Sequence, residues 1–174
     1  GEYPFEELKD LILRYGEEGW ADGIAREIVK RRKERRITST GQLVEVIESA
    51  LPEGEKRRRK LHPATKTFQA LRIEVNDELT NLEEGLETAF GCLRQGGTLV
   101  VISYHSLEDR RVKRFFNNKE KDCICPPDLP VCRCDKEKEA EVTADGITPD
   151  EEEIEKNPRA RSARLRAVKK LVRS

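Results

Sequence analysis

The chain has 174 residues, of which 39% are charged and 5% are aromatic, and its 34 basic side chains balance its 34 acidic ones. This length is enough for a single hydrophobic core, or for one small domain and part of another. No apolar stretch approaches the roughly 20 residues of a membrane-spanning helix, and the first residues lack the layout of a signal peptide, so we expect a cytoplasmic protein.

Three short helices are predicted at the start of the chain. Apolar residues recur at helical spacing from Phe5 to Tyr15 and again from Trp20 to Val29. The run Thr38–Thr40 is a natural N-cap for a third helix, which Pro52 ends. Residues 1–60 are therefore predicted to form a small all-helical domain.

A longer helical pattern and a strand follow. Apolar side chains recur at helical spacing from Phe68 to Leu93, which predicts one long helix or two consecutive helices. After two glycines, Thr98–Ser103 is apolar at successive positions, as in a strand covered on both faces within a parallel sheet. Together with the charged helix that comes next, this order predicts an α/β fold for residues 61–174, with part of a Rossmann-like doubly wound sheet.

Polar residues at the end of this strand are candidates for a ligand site. In doubly wound sheets the ligand lies at the carboxyl ends of the strands, which is the predicted position of Ser103 and His105. Asp109 follows Ser106 at a spacing close to that of a capping box, so we interpret Ser106 as the start of the next helix. A cap at Ser106 does not explain His105, for which ligand contact and a structural role are both open.

The segment 117–156 combines cysteines with acidic residues and is predicted to be a loop. Four of the five cysteines of the chain fall in it: Cys123, Cys125, Cys132 and Cys134. In a cytoplasmic protein such a cluster indicates metal ligands rather than disulfides, and zinc is the usual metal of structural thiolate sites. Both cysteine pairs have one intervening residue instead of the usual two, so a loop of reduced thiols is the alternative.

Positive and negative charges are segregated near the C-terminus. Residues 135–155 hold ten acids against two lysines, whereas residues 157–174 hold seven basic residues and no acid. With further basic runs at 31–36 and 56–60, this distribution favours a polyanionic partner over solvated surface alone. The arginines expected to contact a phosphate backbone are Arg57, Arg58, Arg59, Arg110, Arg159 and Arg161. Within the basic tail, "SARLRAVKKLV" alternates in a way that favours a strand over a short helix.

Four segments occur in the order that is typical of the MraW/RsmH family: "HPATKTFQALRIEVNDEL", "GGTLVVISYHSLEDRRVKRFF", "CPPDLP" and "NPRARSARLR". The chain resembles that family over nearly its whole length, and "YGEEGWADGIAREIVKRR" is similar to its inserted helical domain. Tyr104 stands where the family commonly has Phe. The resemblance implies a methyltransferase that uses S-adenosyl-methionine and acts on the exocyclic amino group of a cytidine in small-subunit ribosomal RNA.

The resemblance also implies what this chain lacks. The N-terminal half of the family, with its first strands and Gly-rich cofactor loop, has no counterpart here, and the sequence has no Gly-rich loop between a strand and a helix. We therefore expect none of the residues that bind S-adenosyl-methionine in this chain. We also expect a partner chain, a homo-oligomer or a longer parent protein to complete the sheet, because strand edges without neighbours are unpaired.

Residue roles follow from the same resemblance. Ser103 and His105 are expected to hold a flipped-out cytidine, with Asn76 and Arg72 facing it from the long helix, since amine methylation depends chiefly on positioning. Two other classes of function are compatible with the residues. One is a non-catalytic RNA-binding module made of the helical domain and the basic tail, and the other is an interaction domain organised by zinc.

Overall fold

The computed structural model describes residues 2–126, 131, 133–134 and 136–171, which fall into two compact units, Gly1–Glu78 and Leu79–Ser174. The helices are α1 (Phe5–Gly16), α2 (Ala21–Glu34), α3 (Thr40–Ser49), α4 (Glu53–Arg58), α5 (Thr65–Asn76), α6 (Glu78–Cys92), α7 (Ser106–Glu120) and α8 (Glu151–Lys156), with a 3-10 helix at Pro158–Ser162. The strands are β1 (Thr98–Ser103), β2 (Ala140–Ile147) and β3 (Arg164–Lys170). None of the described helices is both long enough and apolar enough to cross a membrane.

The first unit is all-helical, and its first three helices confirm the sequence prediction. Ile12, Ile24 and Ile47, one from each of α1, α2 and α3, are fully buried in a shared core. The Ser39 side chain caps α3 by accepting a hydrogen bond from the backbone N–H of Gln42 at 3.3 Å. This cap stabilises the start of α3, as the Thr-Ser-Thr run predicted.

The helical unit extends beyond residue 60, the boundary expected from the sequence. Helix α5 packs against α1, and the fully buried Ala70 joins the core of the unit. The two helices approach closely at Gly16, where a Cβ atom would lie only 2.7 Å from the carbonyl oxygen of Lys66. This contact explains why the compact unit ends at Glu78: α5 shares its core with the preceding helices.

The long apolar pattern from Phe68 to Leu93 is two helices, one of the two predicted outcomes. Asp77 separates α5 from α6 and adopts a left-handed conformation with φ of 49°. A residue in this conformation cannot continue a right-handed helix, and Asp is among the side chains that tolerate it best.

The second unit contains a three-stranded antiparallel sheet in the order β1-β3-β2. Both strands predicted from the sequence, β1 and β3, are present, and they pair with Thr98 opposite Lys169 and Ser103 opposite Arg164. Among the described residues the prediction of a parallel sheet is wrong, since both strand pairs are antiparallel. An apolar run indicates burial but contains no information about the direction of the neighbouring strand.

One face of the sheet carries the core of the second unit. Phe90 from α6, Phe116 from α7 and Val168 from β3 are buried together there. The prediction that β1 is covered on both faces is wrong for the described structure, because Val100 and Ile102 are 53% and 51% exposed. Strand β1 also forms one edge of the sheet, so part of its apolar surface is uncovered in this chain.

Strand β2 lies in the acidic segment that was predicted to be a loop. Its burial alternates along Ala140–Ile147, and its register with β3 shifts between Val142 and Ala144 and again between Asp145 and Ile147. Its outward positions are exposed, and two of them, Glu141 and Asp145, are acidic. The acidic residues of this strand therefore lie on its solvent-exposed face. They concealed the alternation of inward and outward residues that is typical of a strand.

Lys170 is a buried cation at the end of β3. Its side chain extends to the C-terminus of α6, where Nζ donates hydrogen bonds to the carbonyl oxygens of Phe90, Gly91 and Leu93 at 3.0–3.2 Å. These carbonyls belong to the last turn of a helix and its exit, where the helix itself supplies no donors. Lys170 thus caps α6 and joins it to the sheet.

Candidate functional site

The carboxyl end of β1 was the predicted ligand edge, and Ser103 lies there as a buried residue. Its side chain is bound internally: Oγ lies 3.4 Å from Oδ1 of Asp109 and 3.4 Å from the carbonyl oxygen of Arg164, and donates to these acceptors. Only 4% of the residue is exposed. The structure therefore gives Ser103 a structural role, which corrects the expectation that its hydroxyl holds a substrate.

A buried ion network fixes the same end of the sheet. Arg166 of β3 donates from Nε and Nη2 to the two carboxylate oxygens of Asp109 at 2.8 and 3.0 Å, and its Nη1 pairs with Asp145 of β2. The Arg166 guanidinium and the Ser103 hydroxyl hold the pKa of the Asp109 carboxyl below its usual range. Paired geometry of this kind is the strong form of an Arg–carboxylate contact, so it locks α7 onto β2 and β3.

His105, rather than Ser106, is the N-cap of α7. Its Nδ1 accepts a hydrogen bond from the backbone N–H of Glu108 at 3.4 Å, and the Glu108 carboxylate accepts in return from the N–H groups of Tyr104 and His105. This is a capping box shifted by one residue from the predicted one, because histidine is an uncommon cap that sequence rules pass over. Ser106 is instead the first residue of the helix.

Nε2 of His105 is a buried polar atom without a hydrogen-bond partner among the described residues. It lies 3.3 Å from Oε1 of Glu108, but the geometry is not that of a hydrogen bond. Burial alone would raise the pKa of Glu108, but the adjacent His105 side chain and a hydrogen bond from the Tyr104 N–H lower it below its ordinary value. Because Nδ1 is an acceptor, a neutral His105 carries its proton on Nε2 and presents a donor there.

Arg72 and Asn76 lie together in the helical unit, at the end of α5. Arg72 forms a two-pronged ion pair with Glu78 at 2.7 and 2.9 Å, and Asn76 donates to the same carboxylate at 3.2 Å. Both residues are exposed. The structure thus brings Arg72 and Asn76 together in the helical unit, and Ser103 and His105 together in the second unit.

The three consecutive arginines at the end of α4 have different environments. Arg57 and Arg58 are exposed, and Arg58 pairs with Glu55 at the surface. Arg59 instead donates from Nη1 and Nη2, at 2.7 Å each, to the carboxylate of Glu18, which is only 1% exposed. Arg59 therefore stabilises the helical unit, and the expectation that it contacts RNA phosphates is corrected.

The other predicted phosphate contacts are surface residues of the second unit. Arg110 is exposed on the first turns of α7, and its Nε donates to the carbonyl oxygen of Ser106 at 3.3 Å. Arg159 and Arg161 are exposed on the 3-10 helix that Pro158 begins. Their exposure is compatible with phosphate contact, which is the property that the sequence predicted.

A basic groove in the helical unit was not predicted. It encloses about 380 Å³ between α1 and α2 and is lined by Phe5, Arg26, Val29, Lys30, Lys33 and Glu34. The guanidinium of Arg26 lies 5.2 Å from the centre of the Phe5 ring. The signal was present in the sequence, because residues 26, 29, 30 and 33 share one face of a helix. An aromatic ring beside several cations is a surface that suits RNA.

Three of the predicted metal ligands lie together after α7. The Sγ atoms of Cys123, Cys125 and Cys134 are all within 4.8 Å of one another, and each of the three residues is half-buried. The fourth, Cys132, lies outside the described residues. Cys92 is exposed near the end of α6, at a distance in sequence from this cluster.

Comparisons with known proteins agree on one family. The model of the MraW methylase family matches residues 1–171. The chain is 55% identical over 170 residues to the ribosomal RNA small subunit methyltransferase H of Carboxydothermus hydrogenoformans. The aligned residues cover 97% of this chain and 54% of that protein. It is 54% identical to the protein of the same name from Symbiobacterium thermophilum, in an alignment that covers 98% of this chain and 54% of that protein. It is 48% identical to the protein of the same name from Clostridioides difficile, in an alignment that covers 97% of this chain and 54% of that protein.

These matches confirm the resemblance to the MraW/RsmH family and show how much of the chain it covers. The chain spans about half the length of the curated relatives it matches, all of which are named as ribosomal RNA methyltransferases. A family model that matches from the first residue to Leu171 leaves almost none of the sequence outside the family pattern. The chain belongs to the MraW methylase family.

Proposed function

We propose that this chain is the RNA-contacting part of a methyltransferase that modifies the exocyclic amino group of a cytidine in small-subunit ribosomal RNA, with S-adenosyl-methionine as methyl donor. The observation that carries the proposal is the match of nearly the whole chain to relatives named ribosomal RNA small subunit methyltransferase H. Because ribosomal RNA is the substrate in this proposal, we also assign the protein to the cytoplasm.

The capped turn after β1 is proposed to form one wall of the target pocket. Here the imidazole of His105 borders the target base. Tyr104, which is 57% exposed beside it, offers an aromatic surface on which an unstacked base can lie. Such contacts orient the amino group for transfer, and orientation is the main requirement of this chemistry. The residues of the capping box hold the backbone of the turn in place.

Arginines on the surfaces of both units are proposed to bind the RNA backbone. Arg57 and Arg58 do so in the helical unit, which we propose to be the inserted substrate-recognition domain, and Arg110, Arg159 and Arg161 do so in the second unit. Arg72 and Asn76 are proposed to contact the RNA next to the target. Phosphate contacts of this kind fix the register of the RNA, whereas base contacts decide which nucleotide is modified.

The methyl donor is proposed to bind outside this chain. The sequence has no Gly-rich loop between a strand and a helix, so the residues present do not form the usual cradle for such a cofactor. The exposed Val100 and Ile102 of β1, at the edge of the sheet, suit coverage by a further part of the enzyme. We propose that another segment of a longer parent, or a partner chain, completes the sheet there.

A chimeric enzyme tests this function. The C-terminal portion of the Carboxydothermus relative is replaced by this chain, and the chimera is incubated with labelled S-adenosyl-methionine and small ribosomal subunits that lack the modification. We expect label on the amino group of a cytidine, identified by mass analysis of the nucleosides. No label, or label on another nucleoside, while the unmodified relative is active, would contradict the proposal.

The same chimera tests the role of His105. His105→Asn is expected to lower the rate of methylation by about a hundredfold, because it removes the imidazole that positions the base. Asn is a good N-cap, so this variant should retain α7. Ser106→Ala, at the adjacent position, is the matched control and should leave the rate nearly unchanged. Equal rates for the two variants would remove His105 from the target pocket.

A further inference from the structure

The segment between α7 and β2 gathers three sulfur atoms at metal-binding distances. The Sγ atoms of Cys134 and Cys123 are 3.8 Å apart, and that of Cys125 lies within 4.8 Å of both. A tetrahedral zinc ion with zinc–sulfur bonds of about 2.3 Å requires sulfur atoms about 3.8 Å apart. The pair Cys123–Cys134 thus already has the spacing of one edge of such a tetrahedron.

The backbone around these sulfurs is arranged for negative charge. Three N–H groups point at the cluster, each 3.4 Å from a sulfur: that of Ile124 donates to Cys134, that of Cys125 to Cys123 and that of Arg133 to Cys125. Each of the three sulfurs therefore accepts at least one backbone hydrogen bond. N–H groups directed at sulfur stabilise thiolates, which are the form in which cysteine binds metals.

The hydrogen bonds also explain how two cysteines one residue apart can share an ion. The N–H of Cys125 reaches back to the sulfur of Cys123, so the chain turns tightly between them and both side chains face the same side. The sulfur of Cys134 lies next to this turn, 3.4 Å from the backbone nitrogen of Ile124. Three corners of a coordination shell are formed in this way, and the fourth is left to a further donor.

We propose that Cys123, Cys125 and Cys134 bind one zinc ion as thiolates and that this ion fixes the segment between α7 and β2. Thiolate ligands in this number favour zinc over magnesium, calcium or manganese, which prefer oxygen. This site is independent of the proposed methyl transfer, since none of its residues belongs to the target pocket or to the arginines assigned to RNA.

Cobalt(II) titration of the full chain under reducing conditions tests the site. Cobalt in a tetrahedral thiolate site absorbs strongly in the near ultraviolet and in the red, whereas hydrated cobalt does not. We expect these bands to saturate at one cobalt per chain and to disappear when zinc is added. Because binding releases the thiol protons, the apparent affinity should rise with pH.

Cysteine variants test which residues form the metal site. The triple variant Cys123→Ser, Cys125→Ser, Cys134→Ser is expected to lose the bands, while Cys92→Ser, which lies on α6, should keep them. If the triple variant is unfolded by circular dichroism, the single variant Cys125→Ser replaces it. Absence of the bands in the wild-type chain, their loss in Cys92→Ser, or iron in place of zinc by elemental analysis of the purified protein would overturn the proposal.

Discussion

Arg166→Met is expected to lower the free energy of unfolding of the second unit by about 3–5 kcal/mol, the usual cost of breaking a buried ion pair by removing one partner. Arg166 is 5% exposed and neutralises two carboxylates, Asp109 and Asp145. Without it, Asp109 loses its ion-pair partner and keeps the contact with the Ser103 hydroxyl at the end of β1. Urea unfolding followed by circular dichroism measures the loss, and hydrogen exchange should locate it in β1 and β3.

Lys169→Ala provides the matched control, because Lys169 precedes the buried Lys170 on the same strand and is exposed. Its free energy of unfolding should change by about 0.5 kcal/mol or less, as for most surface substitutions. If Arg166→Met and Lys169→Ala unfold at the same urea concentration, the ion network does not stabilise the sheet.

The ion pair between Arg166 and Asp109 also determines whether stability rises or falls with pH. The pKa of Asp109 is lower in the folded protein than its ordinary value. Its contribution is therefore complete above the pKa of an unfolded Asp, about 3.9, and is lost as the pH falls towards the folded value. In Arg166→Met this acid-dependent loss should be smaller, because the favourable interaction of the Asp109 carboxylate is already gone.

Arg59→Ala is expected to destabilise the helical unit by about 3 kcal/mol, since it leaves the buried carboxylate of Glu18 without its ion-pair partner. Arg58→Ala is the matched control at the adjacent position. Its ion pair with Glu55 is at the surface, where such pairs contribute about 0–1 kcal/mol. The single tryptophan, Trp20, belongs to this unit and reports its unfolding by fluorescence.

The two variants should also differ in their response to acid. In the wild type, burial raises the pKa of Glu18, but hydrogen bonds from Arg59 and the Trp20 N–H outweigh burial and lower it. Its contribution is thus lost as the pH falls below the ordinary Glu value of about 4.3. Without Arg59, burial dominates and raises this pKa, so Arg59→Ala should become more stable as the pH falls from neutral. A similar pH profile for both variants would show that Arg59 does not pair with Glu18 in solution.

Periodicity and caps predicted α1–α3, α5–α7 and two of the three strands, whereas α4 and α8 were not predicted. The apolar spacing located α1, α2 and α3, and the alternation in the basic tail identified β3. The sequence could not show that β1 and β3 are antiparallel, because strand direction depends on how the chain returns to the sheet. It also missed β2, in which the outward positions are so acidic that the segment looks like a loop.

The sequence predicted that polar residues follow β1, but not the contacts that these residues make. The polar residues after β1 were correctly located, yet Ser103 proved to be bound internally and His105 proved to be the cap. Arg57, Arg58 and Arg59 are equivalent in sequence, and only the buried Glu18, forty-one residues away, separates the structural arginine from the exposed ones. A long-range partner of this kind leaves no local pattern.

We propose that this chain binds the RNA substrate while the methyl donor binds elsewhere in the enzyme. The most direct test is a pair of titrations of this chain, one with a fragment of small-subunit ribosomal RNA and one with S-adenosyl-methionine. We expect RNA binding that weakens with salt, and a salt slope reduced by roughly one for each phosphate contact removed in Arg159→Ala and Arg161→Ala. Calorimetric binding of S-adenosyl-methionine to this chain, or RNA affinity independent of salt, would contradict the account.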